Sequence, residues 1–132
     1  MFVKIPMTVK YIKRKCEENN YDCIVIDYLQ LLEEDNSSFR AIVKELRSLA
    51  DYLNIPVIIL SQLGRNVEER LNHIPMIEDL DDIGLDLKLF DQVFLLYRDG
   101  YYYMDADQTK CNVIMKNEMV DMVWDYDTLS VL

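Results

Sequence analysis

The sequence predicts an α/β layer protein, and three observations lead there. Short apolar runs alternate with longer stretches of helical periodicity, the signature of strand–helix–strand units around a parallel sheet. The runs at 23–28 and 56–60 are almost free of polar residues, as strands covered on both faces are. The chain has 132 residues, 51% apolar and 29% charged, which fits one globular domain spanning residues 1–132. The expected architecture is a mainly parallel sheet with a C-terminal antiparallel hairpin.

Each element has its own signal. Residues 2–5 read as a short strand ended by Pro6. Thr8 caps a helix to about Glu18, with Val9, Ile12 and Cys16 on one stripe and lysines on the other. Asn19-Asn20 breaks that helix, and residues 23–28 form a buried strand. Asn36-Ser37-Ser38 opens a second helix whose apolar positions, Ile42 to Leu53, recur at helical spacing. Asn54 ends it before a second buried strand at 56–60. Polar residues dominate from 62 to 80, predicting a loop with one short helix near 67–71. A further short helix is expected at 82–90, a buried strand at 92–98, and the closing hairpin from 111–116 and 122–126.

Composition excludes several classes. Three cysteines, Cys16, Cys23 and Cys111, are odd in number and unevenly spaced, which argues for a reducing compartment rather than a disulfide framework. One histidine, His73, and no CxxC pair argue against a zinc site. The longest apolar runs, 55–60 and 93–97, are too short to cross a membrane. No basic, apolar leader opens the sequence, so a cytoplasmic location is expected. The net charge of −10 is a poor footprint for binding nucleic acid unaided, because phosphate affinity rests on Lys and Arg displacing counterions. Lys4, Lys10, Lys13, Arg14 and Lys15 make the start basic; Glu78, Asp79, Asp81, Asp82 and Asp86 begin an acidic third quarter that reads as a solvated face.

The chemistry-bearing feature is an aspartate ending an apolar strand, Ile24-Val25-Ile26-Asp27. In open parallel sheets ligands sit at the carboxyl ends of the strands, where such a carboxylate points. Ser61-Gln62 ends the next strand at the same edge. A carboxylate holding magnesium through water, beside an amide that senses a phosphate, is a nucleotide-hydrolase arrangement. Elsewhere Trp124 reads as a core or interface aromatic, Tyr101-Tyr102-Tyr103 could stack bases but for the flanking acids, Asp105 and Asp107 read as a solvated turn, and His73 as a loop residue without an evident partner.

These residues also carry a resemblance. Ile26-Asp27-Tyr28-Leu29-Gln30-Leu31-Leu32, then residues 55–65 ending Leu60-Ser61-Gln62-Leu63-Gly64-Arg65, then Val67-Glu68-Glu69-Arg70, resemble the bacterial replicative helicase family of DnaB type. Asp79-Leu80 with Gly84, and Phe94-Leu95-Leu96-Tyr97-Arg98-Asp99, continue the likeness in order. The resemblance implies a truncated RecA-like, P-loop NTPase-like three-layer fold: the carboxyl-terminal motor of an ATP-dependent ring helicase in DNA replication. By position it implies that Asp27 holds magnesium of Mg-ATP through water. Gln62 would couple the terminal phosphate to the DNA loops, and Ser61, Arg98 and Lys116 would lie on the nucleotide side. Arg65 and Arg70 would face single-stranded DNA.

The departures fall on catalytic positions. None of the glycines Gly64, Gly84 and Gly100 is followed by lysine, so the phosphate-cradling GxxxxGK[ST] loop is missing from these 132 residues. Where the family has Lys-Gln-Arg, with the arginine reaching a neighbouring subunit's phosphates, this chain has Lys116-Asn117-Glu118. Asp81-Asp82 stands where the loop motif is basic, and Met119-Val120-Asp121 replaces a glycine–proline. The expectation is a chain without ATPase activity of its own, binding no Mg-ATP alone and single-stranded DNA weakly or not at all. Self-association and association with intact helicase subunits both fit the resemblance. The alternative is a non-catalytic module docking on an intact helicase ring as adaptor or inhibitor. The resemblance also places the missing phosphate-loop strand between those at 56–60 and 93–97; without it, either these two pair directly, the favoured outcome, or their exposed edges pair with another copy or a partner.

Overall fold

The computed structural model describes residues 7–32, 37–106, 110–115, 118–125 and 130–131. They form two compact units. One takes the chain up to Leu63 together with Ile83–Leu89; the other takes Gly64–Asp82 and the chain from Phe90 onward.

In the first unit, helix α1 (Val9–Glu18) starts where the Thr8 hydroxyl accepts the Tyr11 amide at 3.0 Å. Its exposed side carries pairs such as Lys15–Glu18 at 2.6 Å, worth little in water. Strand β1 is Ile24–Ile26. Helix α2 (Phe39–Leu53) is capped by Ser38, whose hydroxyl accepts the Ala41 amide. It ends at Asn54, which takes the left-handed conformation (φ 53°) that stops a helix. Strand β2 (Val57–Ile59) runs parallel to β1 in the register Ile24↔Val57, Val25↔Ile58, Ile26↔Ile59. Helix α2 packs on α1, on β2 and on a 3-10 turn at Leu87–Leu89. Ile24, Ile26, Leu29, Ile42, Val43, Leu46 and Leu49 are buried.

The second unit contains α3 (Asn66–Glu69), α4 (Asp79–Asp82), β3 (Leu95–Tyr97) and α5 (Asp99–Tyr102). Strands β4 (Lys110–Met115), β5 (Glu118–Asp125) and β6 (Ser130–Val131) complete an antiparallel sheet in the order β3-β4-β5-β6. Val67, Leu80, Leu95, Tyr97, Val113 and Ile114 are buried.

The α/β class is as expected, with a parallel β1–β2 pair, and the antiparallel part grows from a hairpin to four strands. Three details differ. Strands β2 and β3 do not pair: β2 lies on β1, and β3 finds its hydrogen bonds on β4 in the register Leu95↔Ile114, Leu96↔Val113, Tyr97↔Asn112. The strands are not covered on both faces either; Val25 is 63% exposed, Ile58 51% and Leu96 64%, while their neighbours turn inward. The helix expected at 82–90 is instead α4, ending at Asp82, and the later 3-10 turn, with Gly84 between them at φ 77°. The strand expected at 2–5 and positions 116 and 126 lie outside the described residues. Among the described residues all three cysteines are free, and no helix is long and apolar enough to cross a membrane.

Candidate functional site

The parallel register places the carboxyl ends of β1 and β2 side by side. Pairing continues past both strands: the Leu60 amide donates to Ile26 O at 2.9 Å, and the Leu29 amide to Leu60 O at 2.8 Å. Asp27 emerges at that edge, exposed, directly after β1. The chain then tightens into a 3-10 turn, Leu29–Leu31, because buried Leu29 anchors it. That turn aims Gln30 across to the end of β2. Its Nε2 donates to Ser61 Oγ at 3.0 Å and to Gln62 O at 3.1 Å, and its Oε1 accepts the Gln62 amide at 3.3 Å. One side-chain amide thus holds both main-chain groups of Gln62, leaving its own side chain exposed at the edge that carries Asp27.

Asp27, Ser61 and Gln62 are therefore brought to one sheet edge. Gln30 is the residue that sequence reasoning missed; the available signal was a polar side chain between two leucines just after a strand. The donors at this edge are oxygens of a carboxylate, a hydroxyl and an amide. Such a set suits a hard cation held through water by one carboxylate and by substrate phosphates.

The second unit holds the arginines. Arg65 is exposed at the start of α3, and Arg98 is exposed directly before α5. Arg70 turns inward: its Nη2 and Nη1 donate to the Asp79 carboxylate at 2.7 and 3.1 Å, and Nη1 also donates to Ile74 O. The Met76 amide donates to the same carboxylate at 2.7 Å. Asp79 is 3% exposed, and the Arg70 guanidinium holds its carboxyl below the usual value of 3.8. It is a buried anchor of the loop between α3 and α4, not part of a solvated face.

Tyrosines of β3 and of the helix after it are also used internally. The Tyr97 hydroxyl donates to Asn72 O at 3.1 Å, and burial pushes its pKa up. Tyr102 donates to Glu68 at 2.9 Å and stacks on His73 with centroids 4.3 Å apart. His73, in the left-handed region at φ 51°, thus gains a ring partner that its sequence context did not disclose. Among the described residues no group of three His, Cys, Asp or Glu side chains converges as a metal site. Lys116 and Asn117 lie outside the described residues; Glu118 opens β5 opposite Met115.

A parallel strand pair ending in an aspartate and a serine–glutamine at one edge, with α2 packed on it, is compatible with a RecA-like ATPase fold. Solved structures agree. A DnaB-like replicative helicase, described with its interactions with primase, superposes with a TM-score of 0.80 at 31% identity, over 95% of this chain and 34% of that one. A second solved structure, of an ATPase domain, superposes at 0.79 with 29% identity, over 99% of this chain and 53% of that one. Replicative DNA helicase DnaC of Bacillus subtilis is 39% identical over 117 residues, 80% of this chain and 25% of that protein. A probable replicative DNA helicase of Trieres chinensis is 43% identical over 93 residues, 65% of this chain and 20% of that protein. The family model for the DnaB-like helicase C terminal domain matches residues 3–122. The chain belongs to the DnaB-like helicase C-terminal domain family, and spans a fifth to a quarter of the length of these curated relatives.

Proposed function

We propose that this chain is one partial motor domain serving DNA replication, and that its 132 residues alone do not hydrolyse ATP. The observation that carries this reading is the shared edge of Asp27 and Gln62, with Gln62 held by Gln30. When Mg-ATP is bound, Asp27 would hold the magnesium through water and Gln62 would report the terminal phosphate. The phosphates would need backbone amides and a lysine, and no GxxxxGK[ST] exists in these residues. Glu118, standing where the resemblance expects a cation, would repel a phosphate rather than stabilise it. An arginine there would be worth on the order of 10³ to 10⁵ in rate.

Weak binding of single-stranded DNA goes with this reading. Arg70 is committed to Asp79, and the net charge is −10, so Arg65 has little cationic company in its loop. A second reading, a non-catalytic adaptor or inhibitor docking on an intact helicase ring, is favoured by one observation. Val25 and Ile58, neighbours on one face of the β1–β2 pair, are both exposed and apolar.

Magnesium-dependent ATP hydrolysis by the isolated chain, with and without single-stranded DNA, tests the first reading. The expected result is no turnover above an Asp27→Ala control. Adding the remaining portion of a DnaB-like ATPase domain as a separate polypeptide should then restore turnover that depends on Asp27. Turnover by the isolated chain would overturn the proposal. Inhibition of an intact helicase by the chain, with no restored turnover, would favour the second reading.

A further inference from the structure

Helices α1 and α2 leave a groove of about 410 Å³ between them, lined from both sides. Its lining joins two kinds of surface. Val9 and Leu49 are buried side chains reaching it from the two helices, and Tyr52 adds a ring that is 65% exposed. Lys10 and Lys13 line it from α1 and Lys44 from α2, opposed by one acid, Glu45. Lys10 and Lys44 have no ion-pair partner among the described residues. Lys13 is shared between Glu17 at 4.0 Å and the face of Tyr52 at 4.9 Å.

This is a local concentration of cations on a chain with a net charge of −10. We propose that the groove is a docking site for an acidic amphipathic helix of a partner protein. A helix laid in such a groove seats apolar side chains one turn apart on the floor, with its flanking residues meeting the rims. Here the apolar surface on offer is chiefly the exposed Tyr52 ring, which calls for an apolar anchor against it, and the rims call for Asp and Glu. Because the chain as a whole is negative, long-range steering works against an acidic partner. The selectivity must come from short contacts at Lys10, Lys13 and Lys44. A nucleic-acid strand is the poorer fit. Its affinity rests on releasing counterions along a row of cations, and its phosphates cannot use the apolar floor.

The test is an amide-shift titration of the isotopically labelled 132-residue chain. The probe is a synthetic helix of about four turns, with Leu and Phe on one face and Glu flanking them. A scrambled peptide of the same composition and an oligothymidylate serve as the other arms. Saturating shifts at Val9, Lys13, Leu49 and Tyr52 are expected with the helix and not with the scrambled peptide. The exposed double variant Lys10→Glu with Lys44→Glu should bind about tenfold more weakly. Tyr52→Ala should weaken binding without changing the charge, and unchanged spectra of both variants away from the groove establish that they fold. No saturating shift, equal binding of the scrambled peptide, or tighter binding of oligothymidylate in the groove would overturn the proposal.

Discussion

Arg70 and Asp79 are nine positions apart, and no local rule pairs them. What joins them is a loop that closes around one carboxylate, which accepts both guanidinium nitrogens and the Met76 amide. Removing one partner of a buried pair leaves the other charged and unmatched. Arg70→Ala should therefore destabilise the fold by about 3 kcal/mol, seen as a lower urea midpoint. Arg70→Ala combined with Asp79→Asn should lose less than Arg70→Ala alone, because no buried charge is left over. The pair also sets a pH dependence. Arg70 lowers the Asp79 pKa below 3.8, so its stabilisation is full above that value and is lost as pH falls through the lower folded value. Acid titration of unfolding should show a drop below pH 3.8 that Asp79→Asn flattens. Gln30 allows a parallel test at the strand edge. Gln30→Ala removes both bonds to the Gln62 backbone, at about 1 kcal/mol or more, and should speed amide exchange at Gln62 by about tenfold. Asp27 and Gln62 were legible in the sequence because strand-end residues inherit their position from the apolar run before them. Gln30 and Asp79 were not, since their partners are set by tertiary closure.

Elements with local signals at both ends read most accurately from the sequence. Thr8 and Ser38 each precede a helix and each cap it, and Asn54 stops α2 in the left-handed conformation. Ser38→Ala should cost about 1 kcal/mol, measurable as a lower thermal midpoint. Asn54→Gly should leave the midpoint unchanged or raise it slightly, while Asn54→Val forces a β-branched residue to φ 53° and should cost about 1–2 kcal/mol. Between 64 and 94 the local signals weaken, and so does the reading. The helices there are four residues long, below the length at which periodicity carries information, and Gly84 divides what the pattern joined. Strand pairing was the other gap. A continuous apolar run says that a strand is sticky, but Leu95–Tyr97 satisfies its hydrogen bonds with Asn112–Ile114, which sequence adjacency made the cheaper partner.

At the scale of the whole chain, the uncovered apolar residues matter most. Strand β1 buries Ile24 and Ile26 and leaves Val25 outward; β2 leaves Ile58 outward beside it, with Leu60 43% exposed just beyond. Covering one such side chain fully is worth about 1.5–3 kcal/mol, so a contiguous apolar face gives a substantial drive to associate. Strand β2 also pairs only with β1 among the described residues, and open strand edges invite further pairing. The isolated chain should therefore self-associate, its average mass in sedimentation equilibrium rising with concentration. Val25→Lys with Ile58→Glu places opposite charges on neighbouring positions of the two strands, a pairing that sheets tolerate, while making the face polar. Because both side chains already face outward, the double variant should keep its far-ultraviolet circular dichroism and sediment as a monomer. If the parent chain stays monomeric at every concentration, or the double variant associates equally well, this face does not drive association. If the variant instead unfolds, the two residues were contributing to the core.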